Sequence, residues 1–232
     1  MRTSVYLLGL IIRVLALLKY DFQREFRQRM SFLSILLYVF AITYLLYFLL
    51  NTQGALVKME VKYWNVIFWV IILFTTINEL IAQFSKESEG LYLYYYTVIK
   101  PAHFIIARLI FHSFYAVLTS LMTYFIFSIW FGSPVENFGL ILLSILLGSS
   151  SFAILFTLTT ALSKGLKNNA VLTSVLGFPL CIPLITLVSR LSKEAFFSTT
   201  SDNFWINLTI LLGFNSIMVV LSVILYPYIW RE

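Results

Sequence analysis

The stretch FGLILLSILLGSSSFAILFTLTTAL, Phe138 to Leu162, decides the fold. It holds no charged residue and no proline, and its apolar run is unbroken but for small serines, threonines and glycines. At 1.5 Å per residue such a helix crosses about 30 Å of hydrocarbon. Working outward, five more runs of the same kind flank it: 31–50, 63–84, 104–131, 169–189 and 205–230. The chain as a whole agrees. Hydrophobic residues make up 60% of its 232 residues and charged ones 11%, against about 25% charged in a soluble domain. That is too little charge to cover a water-facing surface. A membrane barrel would show alternating strands with polar turns, and no such pattern occurs. The expectation is an all-α, polytopic bundle of six membrane helices forming one domain over 1–232.

Residues 1–30 read differently. The segment YLLGLIIRVLALLKYDFQREFRQR has a short apolar part interrupted by Arg13. It reads as a helix lying along the interface; a seventh span is the competing reading. Charge sets the orientation. With the N-terminus inside, twelve of the 16 Lys and Arg residues fall on the inner side and four on the outer, a positive-inside bias. Both termini are then cytoplasmic, and the location is the cell inner (plasma) membrane. The net charge of +6 belongs to this bias rather than to nucleic acid. Trp64, Trp130, Trp205 and Trp230 stand at span ends, as an interfacial aromatic belt requires.

Several chemistries are excluded or disfavoured. There is no G-x-x-x-x-G-K-[ST] phosphate loop, no C-x-x-C-H and no H-E-x-x-H. The single cysteine, Cys181, forms no intrachain disulfide and reads as a buried thiol. His103 and His112 are about 900° apart on one helix, on opposite faces, so they do not clamp one metal. The run Gly148–Phe152 reads as small-residue helix packing. No convergent polar cluster is legible within the spans, which makes a membrane enzyme the poorest class. No catalytic, cofactor-binding or metal-binding residue is assigned.

Three features rise above a passive bundle. The inner loop Ser85–His103 places Glu87, Glu89 and Gly90 before the aromatic stretch Leu91, Tyr92, Leu93, Tyr94, closed by Pro101. A surface helix here offers large, low-entropy contact area to a cytoplasmic partner. Glu79, near the inner end of the second span, must face the bundle or water, and Arg108 on the third span is the expected partner. The fifth span carries Gly177, Pro179 and Pro183. The prolines are about 400° apart, on nearly one face. Each removes a backbone donor, which predicts a bend towards the bundle.

These stretches resemble the CcmB family. The resemblance is carried by NELIAQFSKESEGLYLYYYTVIKPAHFIIARLI, Asn78–Ile110, and by ALSKGLKNNAVLTSVLGFPLCIPLI, Ala161–Ile185, where a short basic turn leads into the Pro-x-x-x-Pro span. It implies an ABC-2-type permease subunit of the haem-exporter-type ABC complex in cytochrome c maturation. It also implies no ATPase in the chain itself, ATP bound by a separate CcmA-like subunit, CcmC-, CcmD- and CcmE-like companions, and haem as cargo of the complex. The loop Ser85–Pro101 would be the coupling element. The rival readings are a six-span permease for another substrate (glycan, lipid or drug) and a membrane scaffold without transport.

Overall fold

The computed structural model describes residues 2–27, 29–50, 59–85, 99–163, 169–197 and 202–229. They form seven α-helices: α1 (Arg2–Arg27), α2 (Arg29–Leu50), α3 (Val61–Ser85), α4 (Pro101–Phe131), α5 (Phe138–Ser163), α6 (Asn169–Lys193) and α7 (Asp202–Ile229). A 3-10 turn, Glu194–Phe196, follows α6. No strand occurs among the described residues. Six helices hold segments long and apolar enough to cross a membrane: Phe32–Leu50, Val61–Gln83, Pro101–Phe131, Phe138–Ser163, Val175–Phe196 and Asn203–Tyr228. The chain is a multi-pass membrane protein, and α1 is the additional N-terminal helix.

The boundaries have local causes. Pro101 occupies the first turn of α4 after an extended Lys100, where its missing N–H would have no intrahelical partner anyway. Gly132 ends α4 at φ 72°, a conformation that costs a glycine little. Asn137 caps α5: its Oδ1 accepts the N–H groups of Gly139 (3.1 Å) and Leu140 (3.3 Å). The fifth apolar segment ends later than the sequence suggests, at Phe196 rather than 189. Leu191, Ala195 and Phe196 bury themselves, and Ala195 O accepts the N–H groups of Glu136 and Asn137. Arg190 and Lys193 stay exposed on the same stretch, so charge there does not stop the helix.

α5 is the axis of the bundle and packs against α3, α4, α6 and α7. Every residue from Ser151 to Ala161 is buried. Gly148 makes this possible: a Cβ there would lie 2.5 Å from Val188 Cγ1 and 2.6 Å from the Trp69 ring. α6 approaches α5 in the same way at Gly177, where a Cβ would meet Phe156 at 2.7 Å. Small residues at these crossings let the backbones close. α2 lies at the edge, its outer face open, and packs chiefly on α4.

One end of the bundle is locked by aromatic side chains. Trp64 stacks on Phe68 and meets Phe127 and Phe196 edge-on. The belt reading is corrected here: Trp64 is fully buried, donating from Nε1 to Gly132 O at 3.0 Å. Gly132, just after α4, covers the indole, so Trp64 stands at the span end but packs inside the protein. Trp69 donates to Ser192 Oγ (2.8 Å), which donates to Asn65 Oδ1 (2.7 Å). Asn65 Nδ2 in turn donates to Ser189 O (2.8 Å).

Candidate functional site

The opposite end carries a polar seam that the sequence reading did not find. It is built on one stripe of α4: Arg108, His112, Tyr115, Thr119 and Thr123, all buried. Their spacing of four, three, four and four keeps them on one helical face. α1 supplies Asp21 and Glu25, also buried and four residues apart. α3 supplies Glu79 and Gln83, and α5 supplies Thr157, Thr160 and Ser163. Each span contributes only a few polar groups, and the convergence appears only when the helices pack.

Arg108 Nη1 donates to Asp21 Oδ1 at 3.0 Å, and both side chains are 3% exposed. The guanidinium also sits 4.9 Å from the centre of the Phe104 ring, a favourable cation–π position. About two turns further along α4, Tyr115 Oη donates to Glu25 Oε1 at 3.1 Å. Thr119 Oγ1 donates to Glu79 Oε2 at 3.1 Å. His112 Nδ1 and Thr157 Oγ1 lie 2.9 Å apart, joining α4 to α5. Ser163 Oγ and Thr173 Oγ1 lie 2.7 Å apart, joining α5 to α6.

The expected pair Glu79–Arg108 is therefore corrected. Glu79 does face the bundle, at 1% exposure, but its hydrogen bond comes from Thr119 and the arginine is held by Asp21. The reason lies in α1, which docks along α4 and reaches Arg108 from the other side of that helix's polar stripe. The signal was in the sequence. Val14, Leu17, Asp21 and Glu25 recur every three or four residues, so two acids continue the buried stripe of α1. Acids on an apolar stripe call for donors across the interface.

Among the described residues, Glu79 Oε1, both polar atoms of Gln83 and Thr160 Oγ1 are enclosed without a hydrogen-bond partner. Glu79 and Gln83 stand near the Ser85 end of α3, and Thr160 near the Ser163 end of α5. Among the described residues, no group of three or more His, Cys, Asp or Glu is arranged to hold a metal. The seam's groups work as electrostatic and hydrogen-bonding ties between helices.

The other sequence-derived residues are dispersed. Glu87, Glu89, Gly90, Leu91, Tyr92, Leu93 and Tyr94 lie outside the described residues, and Pro101 opens α4. Gly177 is buried against Phe156, but Pro179 and Pro183 are exposed on the outer face of α6. The prolines thus share a face as expected, and that face points outwards. Cys181 and Leu184, between and beside them, take the inward positions.

A family model described as CcmB protein matches residues 12–229. No curated protein matches the chain. The match covers nearly the whole chain, including the polar seam and the proline-bearing helix. The chain belongs to the CcmB family, the permease component of the haem-export ABC system for cytochrome c maturation.

Proposed function

We propose that this CcmB-family subunit acts as one permease domain, driven by a separate ATPase bound to the segment Ser85–Pro101. The chain has no phosphate-binding loop of its own. Force must then enter from a partner, bound where two helices can be moved together. The observation that carries this reading is that the segment joins α3 to α4. Those are the two helices on which Glu79, Gln83, Arg108, His112, Tyr115 and Thr119 are mounted. A displacement of Ser85–Pro101 is transmitted along rigid helices to the seam, whose hydrogen-bonded ties re-register against α1 and α5.

In this reading Glu87, Glu89 and Gly90 begin the contact, Leu91, Tyr92, Leu93 and Tyr94 anchor it, and Pro101 fixes the start of the responding helix. Pro179 and Pro183 leave α6 without two backbone donors, which makes it the compliant helix beside the moving pair. ATP is bound by the CcmA-like partner. CcmC-, CcmD- and CcmE-like proteins are the companions, and haem is cargo of the complex. Both termini and the segment Ser85–Pro101 are cytoplasmic, in the cell inner membrane, as the twelve-to-four distribution of basic residues supports.

The test is co-purification of the tagged full chain from gently solubilised membranes. An ATP-binding subunit recovered in stoichiometric amount supports the reading. Recovery of the chain with no ATPase, under conditions that keep other membrane complexes intact, overturns it.

A further inference from the structure

A cleft of about 240 Å³ opens where α1, α2 and α4 meet. Its walls are Phe22, Phe32, Phe111, Phe114 and Leu118, and its surface is almost wholly carbon. Glu25 and Tyr115 also border it, but their polar ends meet each other: Tyr115 Oη donates to Glu25 Oε1 at 3.1 Å. The walls are braced. Phe22 meets Phe111 and Phe114 edge-on at 5.2 and 5.1 Å, and Phe32 meets Tyr115 edge-on at 6.3 Å. Rings from three helices thus fix the width of the recess before anything enters it.

The chemistry of the walls restricts the occupant. A charged or hydrogen-bonding group would give up its solvation here and find no partner. An apolar group gains dispersion contacts with the surrounding rings. Size restricts it further. The volume lies below the 300–1,000 Å³ of pockets that take a whole drug-sized ligand, and a helix about 10–12 Å across does not enter. What fits is a slender apolar stretch of a longer molecule, with the remainder outside.

The mouth indicates what that molecule is. Leu33 and Phe114 border it and are 55% and 52% exposed. They stand on two membrane-crossing segments, Phe32–Leu50 and Pro101–Phe131. At 1.5 Å per residue, Phe114 and Leu118 lie roughly 26 and 20 Å along α4 from its Phe131 end. Both depths fall within a hydrocarbon layer about 30 Å thick. The medium at the mouth is therefore lipid chain rather than water. We propose that this cleft is a binding site for one acyl chain of a membrane lipid, held between the rings of α1, α2 and α4 and apart from the chains that slide over the outer surface.

The test uses the purified full chain in nanodiscs of phosphatidylcholine, a small fraction of which carries a photoactivated diazirine within one acyl chain. Labelled residues are read by peptide mass spectrometry. Phe22 and Leu118 are half-buried, whereas Leu37 on α2 and Phe125 on α4 are 70% and 66% exposed. Surface contact alone would label the exposed pair more; a chain seated in the cleft should label Phe22 and Leu118 at least fivefold more than Leu37 and Phe125. Leu118→Trp, which fills the cleft from its wall, should cut that labelling at least fivefold. Leu33→Trp fills the mouth from an exposed position and should do the same, which keeps the proposal testable should the first variant fold poorly. Leu37→Trp should change nothing. Labelling of Phe22 and Leu118 no stronger than that of Leu37 and Phe125, or unchanged in the folded Leu118→Trp or Leu33→Trp variant, overturns the site. If Leu33→Cys, with Cys181 replaced by alanine, oxidises in the membrane to a disulfide-linked pair of chains, a second copy covers the mouth and the lipid assignment fails.

Discussion

Removing Asp21 should release α1 from the bundle. Its carboxylate and Arg108 face each other at 3.0 Å, each 3% exposed. Asp21→Ala leaves a guanidinium enclosed without its counter-charge, and breaking such a pair from one side costs about 3–5 kcal/mol. Total stabilities run at about 5–15 kcal/mol, so this is a large fraction. For a chain of this size each kcal/mol moves the midpoint by about 2–4 °C, giving a drop of roughly 6–20 °C. Asp21→Asn should cost less, because the amide oxygen still accepts from Nη1. The double change Asp21→Leu, Arg108→Met should be less harmful than Asp21→Ala alone, since no charge is left stranded. Thermal unfolding in detergent, followed by gel filtration, gives the midpoints. A thiol at Leu17, buried on the same face of α1, reports release directly once Cys181 is replaced by alanine. It should be protected in the parent and labelled in Asp21→Ala. A midpoint within 1 °C of the parent, with the thiol still protected, would show that this pair does not hold α1.

Gly148→Ala should destabilise by about 1–3 kcal/mol through overpacking. The new methyl meets Val188 and a Trp69 ring that its bond to Ser192 holds in place; an unchanged midpoint would mean that α5 and α6 part without cost. The double change of Pro179 and Pro183 to alanine should insert and fold normally, because both side chains are exposed, yet lower cytochrome c maturation. Full maturation would reduce the prolines to surface packing. A thiol placed near residue 3 should stay unreactive to an impermeant reagent applied from outside the cell, and labelling there would put the N-terminal segment across the membrane.

The membrane spans were legible because each is decided by its own composition. Phe138–Ser163 needs no knowledge of its neighbours to be read as a span, and Pro101 and Gly132 mark the ends of α4 by backbone chemistry alone. The burial of Glu79 was legible for the same reason: a carboxylate at that depth has nowhere else to face. Its partner was not. Which donor meets Glu79 depends on the rotation of α4 relative to α3 and α1, and Thr119 and Arg108 are both on the stripe of α4 that faces inward. Trp64 escaped the reading because the belt rule describes an isolated helix end, whereas Gly132 brings a backbone carbonyl over this one. The outward prolines follow from Gly177: the small residue takes the tight crossing with Phe156, two positions before Pro179, and so turns the prolines to the opposite side. The seam's four helices each carry polar residues that look ordinary alone. The four-three-four-four spacing on α4 and the two acids that continue the apolar stripe of α1 were the signals that could have disclosed it.

The account's central claim is that the segment Ser85–Pro101 receives force from an ATPase and passes it to α3 and α4. Changing Tyr92 and Leu93 together to aspartate tests it most directly. Aromatic and apolar anchors at an interface contribute about 2 kcal/mol or more each, and two buried, unpaired carboxylates add a penalty of their own. The variant should still insert, with an unfolding midpoint like the parent's, because the spans are untouched. Affinity for the co-expressed ATPase, measured by pull-down titration in detergent, should fall by several orders of magnitude. Retention of the ATPase at the parent's affinity would contradict the claim and move the coupling contact to the N-terminal helix α1.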